Sequence, residues 1–227
     1  MTTKVPAIPS RLIKPIYSFS EADHLAGATA GTARRWIKGY SYLRKGKRIE
    51  QPPVTPRTAD ALAASFFDLL EVVVIARLKS HGLSLAAVRR LVANCIDLVG
   101  YERPLVQARF KTDGREVFVE QGEKLIEVGR RKREAAWNLV LEPFLAELHY
   151  TDEWADQWRP LGSDQPILLD PDYGFGQPVI EGSGVRTEII IERVRAGDLP
   201  DEIAADFNVT SLQVHRAIQY ESSRQAA

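Results

Sequence analysis

Cysteine is almost absent from this chain of 227 residues. Its one cysteine, Cys95, excludes a disulfide framework and a cysteine-based zinc finger, because both need several thiols. Long apolar runs are also missing: residues 69–76 are interrupted by Glu71, and a membrane span needs roughly 18 apolar residues. Residues 1–6 lack the apolar core of a signal peptide. We therefore expect a soluble, cytoplasmic protein with no membrane partner.

Net charge is absent as well, since 30 basic side chains balance 30 acidic ones. The length allows one or two domains, because a domain usually has ~100–200 residues. The charge balance is uneven along the chain: residues 1–57 contain 11 basic and 3 acidic residues, whereas residues 138–182 contain 1 basic and 9 acidic residues. The charge asymmetry indicates that different parts of the chain serve different partners.

Residues 17–40 have the pattern of two short helices. Ser20 and Asp23 suit the start of the first helix, as a hydroxyl cap and a first-turn carboxylate. Gly27 then breaks this helix, and Thr29 is a candidate cap for the second. Ala33, with Trp36 and Ile37, should face the core at helical spacing. Gly39 would end this helix. Its outer face would carry four polar residues: Thr32, Arg34, Arg35 and Lys38.

A basic hairpin is predicted directly after these helices. An alternating run from Tyr40, a turn at Lys45-Gly46-Lys47 and a second extended run favour two paired strands. Its polar and basic side chains are Tyr42, Arg44, Lys45, Lys47, Arg48 and, just beyond, Arg57. Such a hairpin can bind phosphates while the preceding helix reads base edges, which predicts a winged helix-turn-helix on DNA. The alternative is a solvated basic surface around a small core.

Two longer helices and a second hairpin would complete an N-terminal domain of residues 1–150. Ser65 and Asp68 predict a capping box for a helix Phe66–Ser80, which is apolar almost all round and therefore buried centrally or at a partner interface. Ser84 would cap the next helix. Further on, Asp113-Gly114 lies between alternating apolar runs, a strong hairpin signal.

Residues 151–227 are predicted to form an acidic connector followed by three helices. Residues 166–169 are the strand candidate in the connector, whose acidity suits either a partner-binding surface or plain solvation. In the first helix, Ile189 and Ile190 are expected to face inward. Pro200 should open the second helix and Thr210 should cap the third, with Gln213 completing a capping box. Residues 183–227, which contain this trihelical helix-turn-helix, carry 5 basic and 7 acidic residues, and this balance favours dimerisation or protein binding over DNA contact. The fold class is thus mainly α, with two helix-turn-helix domains and short β-hairpins.

No pattern for catalysis or metal binding occurs in the sequence. The four histidines are far apart, and no Gly-rich phosphate loop, Gly-x-Ser-x-Gly elbow or His-Glu-x-x-His motif is found. His149 with Asp152 and Glu153 is better explained as a surface turn than as a metal site. We therefore expect a protein that is not an enzyme and has neither cofactor nor metal.

Two stretches resemble known families. Residues 170–182, followed by Val185-Arg186-Thr187, Ala196-Gly197 and residues 202–207, look like the signature of a small bacterial domain family of unknown function that often includes VapB-type antitoxins. Residues 18–99 are similar to the MerR-like winged helix-turn-helix, through residues 66–71 and 78–89. Together they resemble a long VapB-type antitoxin with a winged N-terminal domain.

The resemblance implies a function in a toxin–antitoxin pair. A VapC-type PIN-domain ribonuclease would be the inhibited partner, and a homodimer would bind double-stranded operator DNA to repress the pair's own promoter. DNA contact would then fall on Thr32, Arg34, Arg35, Lys38, Tyr42, Arg44, Lys45, Lys47 and Arg48. The resemblance assigns no toxin-binding residues. The alternative is a stand-alone MerR-like regulator or DNA-binding adaptor without a toxin.

Overall fold

The computed structural model describes residues 7–54, 62–99, 103–108 and 137–225. About half of the described residues are helical, and the described strands form small two-stranded pairs, which agrees with the predicted helical fold with short hairpins. The helices are α1 (Ser10–Ile13), α2 (Phe19–Leu25), α3 (Thr32–Lys38), α4 (Phe66–Ser80), α5 (Leu85–Val99), α6 (Glu142–Ala146), α7 (Thr187–Ala196), α8 (Pro200–Asp206) and α9 (Ser211–Gln225).

The strands are short and pair two by two. They are β1 (Pro15–Tyr17) with β4 (Ala64–Ser65), β2 (Tyr40–Arg44) with β3 (Lys47–Gln51), β5 (Leu148–Thr151) with β6 (Trp154–Trp158), and β7 (Ile167–Leu168) with β8 (Val179–Ile180). Single helical turns lie at Pro104–Val106, Trp137–Leu141 and Gly174–Gly176. The predicted hairpin at Asp113-Gly114, and Arg57, lie outside the described residues.

The chain divides into two compact units. The first comprises Met1–Leu145 with Thr151–Trp154, and the second comprises Ala146–Tyr150 with Ala155–Ala227. The predicted domain boundary after residue 150 lies within β5. None of the described helices is both long and apolar enough to span a membrane.

Helix α4 is the centre of the first unit. It packs against α1, α2, α3 and α5, and buries apolar side chains around its whole circumference. Its N-terminus has the predicted capping box, because Ser65 accepts from the backbone N–H of Asp68 and Asp68 accepts from that of Ser65. Of the two predicted positions, central burial and a partner interface, the structure shows central burial.

A partly buried arginine, Arg103, accounts for the two acidic side chains of this apolar helix. Arg103 donates from Nη1 to Asp68 Oδ1 at 2.8 Å and to Glu71 Oε2 at 3.2 Å, and its guanidinium lies 6.0 Å from the centre of the Phe67 ring. Glu71 is fully buried. A buried carboxylate needs such a partner, since transferring an unpaired charge from water costs several kcal/mol.

Three helices and the β7–β8 pair form the core of the second unit. Ile167 and Ile180 from the strands pack with Ile190, Ile203 and other apolar side chains of α7, α8 and α9. The predicted strand at residues 166–169 is confirmed as β7, which pairs antiparallel with β8. The inward position of Ile190 is also confirmed, whereas Ile189 is 39% exposed and its prediction was wrong.

Local signals set the helix ends of this unit. Gly197 ends α7 in the left-handed conformation, and Pro200 is the first residue of α8. Thr210 and Gln213 form the predicted capping box of α9, with Gln213 N donating to Thr210 Oγ1 at 3.2 Å and Thr210 N donating to Gln213 Oε1 at 2.8 Å. These signals act within a few residues, which is why the sequence reveals them.

Candidate nucleic-acid interface

Helix α2 begins two residues earlier than predicted. Ser18, not Ser20, is its N-cap: the Ser18 side chain accepts from Glu21 N at 3.1 Å, and Glu21 Oε2 accepts from Ser18 N at 2.7 Å. Because the helix starts at Phe19, Asp23 lies beyond its first turn. The prediction that Asp23 stabilises the start of its own helix was wrong.

Asp23 instead caps helix α3. Its carboxylate is 4% exposed and accepts two backbone hydrogen bonds at 2.6 Å, from Gly31 N to Oδ2 and from Ala33 N to Oδ1. The N-cap residue of α3 is Gly31, with φ of 77°, rather than the predicted Thr29. A carboxylate at a helix N-terminus both satisfies free N–H groups and complements the helix dipole. One buried side chain of α2 thus fixes the position of α3.

Helix α3 has the predicted buried face and three of the four predicted outer residues. Ala33, Trp36 and Ile37 are buried, and Arg34, Arg35 and Lys38 are exposed.

Thr32 is the exception among the predicted outer residues. Its side chain is 5% exposed, so its placement on the outer face was wrong. Its hydroxyl lies 3.0 Å from Thr29 Oγ1 and accepts from Arg35 Nη2 at 3.2 Å. Thr32 therefore orients Arg35 within α3.

The predicted hairpin is present as β2 and β3, paired in antiparallel register from Tyr40 opposite Gln51 to Arg44 opposite Lys47. Lys45 and Gly46 form its turn, both with positive φ, which is the backbone that a two-residue turn between twisted strands needs. The remaining predicted hairpin residues are exposed: Tyr42, Arg44, Lys45, Lys47 and Arg48.

Both ends of this hairpin are fixed beside the C-terminus of α3. Gly39 joins α3 to β2 with φ of 74°, and a Cβ atom there would lie 2.5 Å from the carbonyl oxygen of Gln51 on β3. Val54 N donates to Trp36 O at 2.9 Å, just after the hairpin. The cations of α3 and of the hairpin are therefore carried by one connected piece of backbone.

Arg89 of α5 also holds the hairpin in place, and the sequence pattern did not predict this contact. It donates from Nη1 to Gln51 Oε1 at 3.1 Å and from Nη2 to Pro52 O at 2.9 Å. Its partners lie 38 and 37 residues away, so no local pattern could have revealed the contact. Arg89 links the end of β3 to the helical core of this unit.

The resulting basic segment, residues 32–51, has a strong local charge. It contains seven lysine and arginine residues and a single acidic residue, Glu50. Glu50 lies 3.7 Å from Arg48 in an ion pair whose side chains are 70% and 79% exposed; such pairs contribute little free energy. The segment thus keeps nearly all of its positive charge available for an anionic partner.

The described residues also lack the arrangement that a metal site requires. Among the described residues, no group of three or more histidine, cysteine, aspartate or glutamate side chains is arranged to hold a metal ion. His149 Nδ1 lies 2.8 Å from Asp156 Oδ1 across the β5–β6 hairpin.

Gly39→Ala is predicted to destabilise the first unit more than Gly46→Ala. Both glycines have positive φ, so alanine strains the backbone at either site by about 1 kcal/mol. At Gly46 nothing lies within 4 Å of the added Cβ, whereas at Gly39 it meets the Gln51 carbonyl. Thermal unfolding of both variants measures the difference, and equal losses would contradict the close approach at Gly39.

Comparisons with known proteins place these features in context. Residues 167–220 match a family described as "Protein of unknown function (DUF433)". The chain is 25% identical over 222 residues to "Putative antitoxin VapB45" of Mycobacterium tuberculosis, covering 90% of this chain and 92% of that protein. It is 26% identical over 235 residues to "Uncharacterized protein Rv2308" of the same organism, covering 94% and 93%.

The fold also has a counterpart among solved structures. The crystal structure of Rv2018 from Mycobacterium tuberculosis superimposes with a TM-score of 0.67 at 24% identity, covering 90% of this chain and 98% of that one. At this identity the similarity concerns the fold alone. The sequence matches are therefore to a protein named a putative antitoxin, along most of the chain, and to a domain family of unknown function at residues 167–220.

Proposed function

We propose that this chain is an antitoxin that binds operator DNA through the basic segment and represses its own operon. The observation that supports DNA binding is the exposed charge of residues 32–51, seven cations against one carboxylate. These cations are carried by a helix and a hairpin whose backbones are fixed to each other. DNA phosphates are the anions that such an extended, rigid basic surface suits.

Within this proposal, helix and hairpin have different tasks. Helix α3 carries Arg34, Arg35 and Lys38 on its exposed side, where arginine can bind guanine edges in the major groove. The hairpin carries lysines at its turn, which suit phosphates because a phosphate contact needs charge without a fixed geometry. A homodimer would place two such units on a two-fold operator.

The antitoxin part of the proposal is supported by the similar protein named a putative antitoxin. The proposed partner is a VapC-type PIN-domain ribonuclease, which this chain binds and inhibits. The chain itself acts by binding and not by catalysis, with no cofactor. DNA binding and toxin binding fit the uneven charge of the chain, because the basic residues 1–57 and the acidic residues 138–182 suit partners of different chemistry.

Co-expression with the protein encoded next to this chain tests the antitoxin function. We expect the neighbour to arrest growth alone, growth to recover when both are made, and a complex to be recovered by affinity purification. Persistent arrest despite full expression of this chain refutes inhibition. Operator binding without any such partner would instead favour the stand-alone regulator.

A variant with Arg34 and Arg35 both replaced by alanine is the matched control for this experiment. It should still relieve the arrest, because the toxin contact is proposed to lie elsewhere, while a reporter gene behind the operon's promoter should lose repression. Loss of both functions in this variant would contradict the assignment of separate surfaces.

A further inference from the structure

A leucine lies in the open at the end of the basic hairpin. The tip of this hairpin, residues 43–48, contains four cations, one glycine and a single apolar residue, Leu43. Leu43 is 76% exposed, and cations lie on either side of it: Arg44 follows along β2, and Arg48 is opposite on β3. Isolated apolar residues are common on protein surfaces. A leucine within a phosphate-binding surface is different, because phosphate contacts need charge or hydrogen-bond donors.

The pairing of β2 with β3 directs Leu43 away from the helical core of its unit. Successive side chains of a strand lie on opposite faces of the sheet. One face of the hairpin carries Gln51, which accepts from Arg89 of α5 at 3.1 Å. The other face carries Leu43, and every residue on it is exposed: Ser41, Leu43, Arg48 and Glu50. Leu43 thus lies on the face opposite the one that α5 contacts through Arg89.

The tip projects from a fixed base. No atom of the described residues lies within 4 Å of a Cβ placed on Gly46 in the turn. The base is held by Arg89 and by the close approach of Gly39 to the Gln51 carbonyl. Each strand has five residues. At about 3.3 Å per residue, this gives the hairpin a length of about 16 Å.

This length matches the spacing of the grooves of DNA. One turn of B-DNA is about 34–36 Å long and contains one major and one minor groove, so neighbouring grooves lie about 17 Å apart. Helix α3 is joined directly to β2 through Gly39. With α3 in a major groove, the hairpin is therefore long enough to reach the adjacent minor groove.

The chemistry of the tip complements a minor groove. Two rows of phosphates border this groove, and sugars and base edges line it. Arg44 and Lys47, which are opposite each other, and Lys45 in the turn supply positive charge for the phosphates. Leu43 supplies apolar surface for the space between them. A protein partner would have to combine acidic groups with an apolar pocket, whereas every minor groove has both anionic borders and apolar walls.

We propose that Leu43 enters the minor groove next to the major groove bound by α3 and packs against a base step there. The inference rests on the proposed operator binding. An apolar side chain in the minor groove partly unstacks the step that it contacts. Pyrimidine–purine steps unstack most easily, so the strength of this contact depends on sequence. Leu43 therefore adds a second point of sequence recognition, separate from the bases that α3 reads.

Leu43→Ala in the full chain tests this contact. Because Leu43 is exposed, the variant should keep the wild-type melting temperature. We expect its affinity for a duplex covering the region upstream of the operon to fall about fivefold or more, as for one mismatched base pair in a specific site. The slope of affinity against salt concentration should stay the same, because leucine displaces no counterion.

Two matched variants make this result specific. Lys47→Ala, in the same tip, should reduce the salt slope by about one, as expected for a phosphate contact. Leu62→Ala removes an 89% exposed leucine outside the basic segment, and it should leave the affinity within about twofold and the slope unchanged.

Fluorescence of 2-aminopurine reports the base step directly, because stacking quenches this base. In a set of duplexes that carry 2-aminopurine at successive positions, the wild-type chain should raise the fluorescence at the step that Leu43 contacts. Leu43→Ala at saturating concentration should leave the same position quenched.

The outcomes separate this contact from operator binding itself. Unchanged affinity of Leu43→Ala, or no rise in fluorescence with the wild-type chain bound, overturns the base-step contact and leaves operator binding intact. Failure of the wild-type chain to bind the duplex overturns both. A shift from dimer to monomer in sedimentation of Leu43→Ala would assign Leu43 to a second copy of the chain, and this also overturns the base-step contact.

Discussion

Replacing Arg34 and Arg35 together by alanine is expected to weaken operator binding at least about 30-fold. Each well-placed arginine on a base edge contributes about 1–3 kcal/mol of binding free energy, and 1.4 kcal/mol corresponds to a factor of ten. Both side chains are exposed on α3, so their removal leaves the core of the unit unchanged. Gel-shift titration on a duplex covering the region upstream of the operon measures the effect.

The salt dependence of operator affinity distinguishes arginine contacts to phosphates from arginine contacts to base edges. If one arginine binds phosphate, its removal also reduces the slope of affinity against salt concentration by about one. Arg195→Ala is the matched control, because Arg195 is an exposed arginine on α7 in the acidic second unit. Unchanged affinity in the Arg34 and Arg35 variants, singly and together, would refute the assignment of α3 to DNA.

Asp23→Ala is expected to reduce both stability and operator affinity. The substitution leaves the N–H groups of Gly31 and Ala33 without the acceptor they now share. A buried donor without an acceptor costs about 1–3 kcal/mol, so we expect a loss of about 2 kcal/mol in unfolding free energy. For a unit of this size, that lowers the melting temperature by about 4–8 °C. Operator affinity should fall because α3 loses its fixed orientation.

Hydrogen exchange locates the effect of this substitution. Amide protection of residues 31–38 should fall by about one order of magnitude or more, while α9 in the other unit exchanges as in the wild-type chain. Asp23→Asn is the graded control, because its amide oxygen can still accept one of the two hydrogen bonds. Equal protection of residues 31–38 in all three proteins would contradict the role of Asp23 as the cap of α3.

The predictable part of the fold depends on partners close in sequence. The capping boxes at Ser65 and Thr210 each join residues three apart, and the turn at Lys45-Gly46 joins adjacent strands. The exposure of Arg34, Arg35 and Lys38 follows equally from helical spacing within one short segment. The misplaced start of α2 shows the limit of such rules, because Ser18 and Ser20 offer the same hydroxyl.

The sequence by itself determined the helical class of this protein, the capped ends of α4, α7 and α9, the basic hairpin and the separation of charges, since these depend on residue type and short spacing. The tertiary structure alone decided that Asp23 caps α3, that Thr32 is buried, that Arg103 pairs with Glu71, and that Phe175 remains exposed. In the first and third cases the partners lie ten and 32 residues apart. Whether a polar or aromatic group is buried, paired or left in water depends on which distant segments the chain brings together.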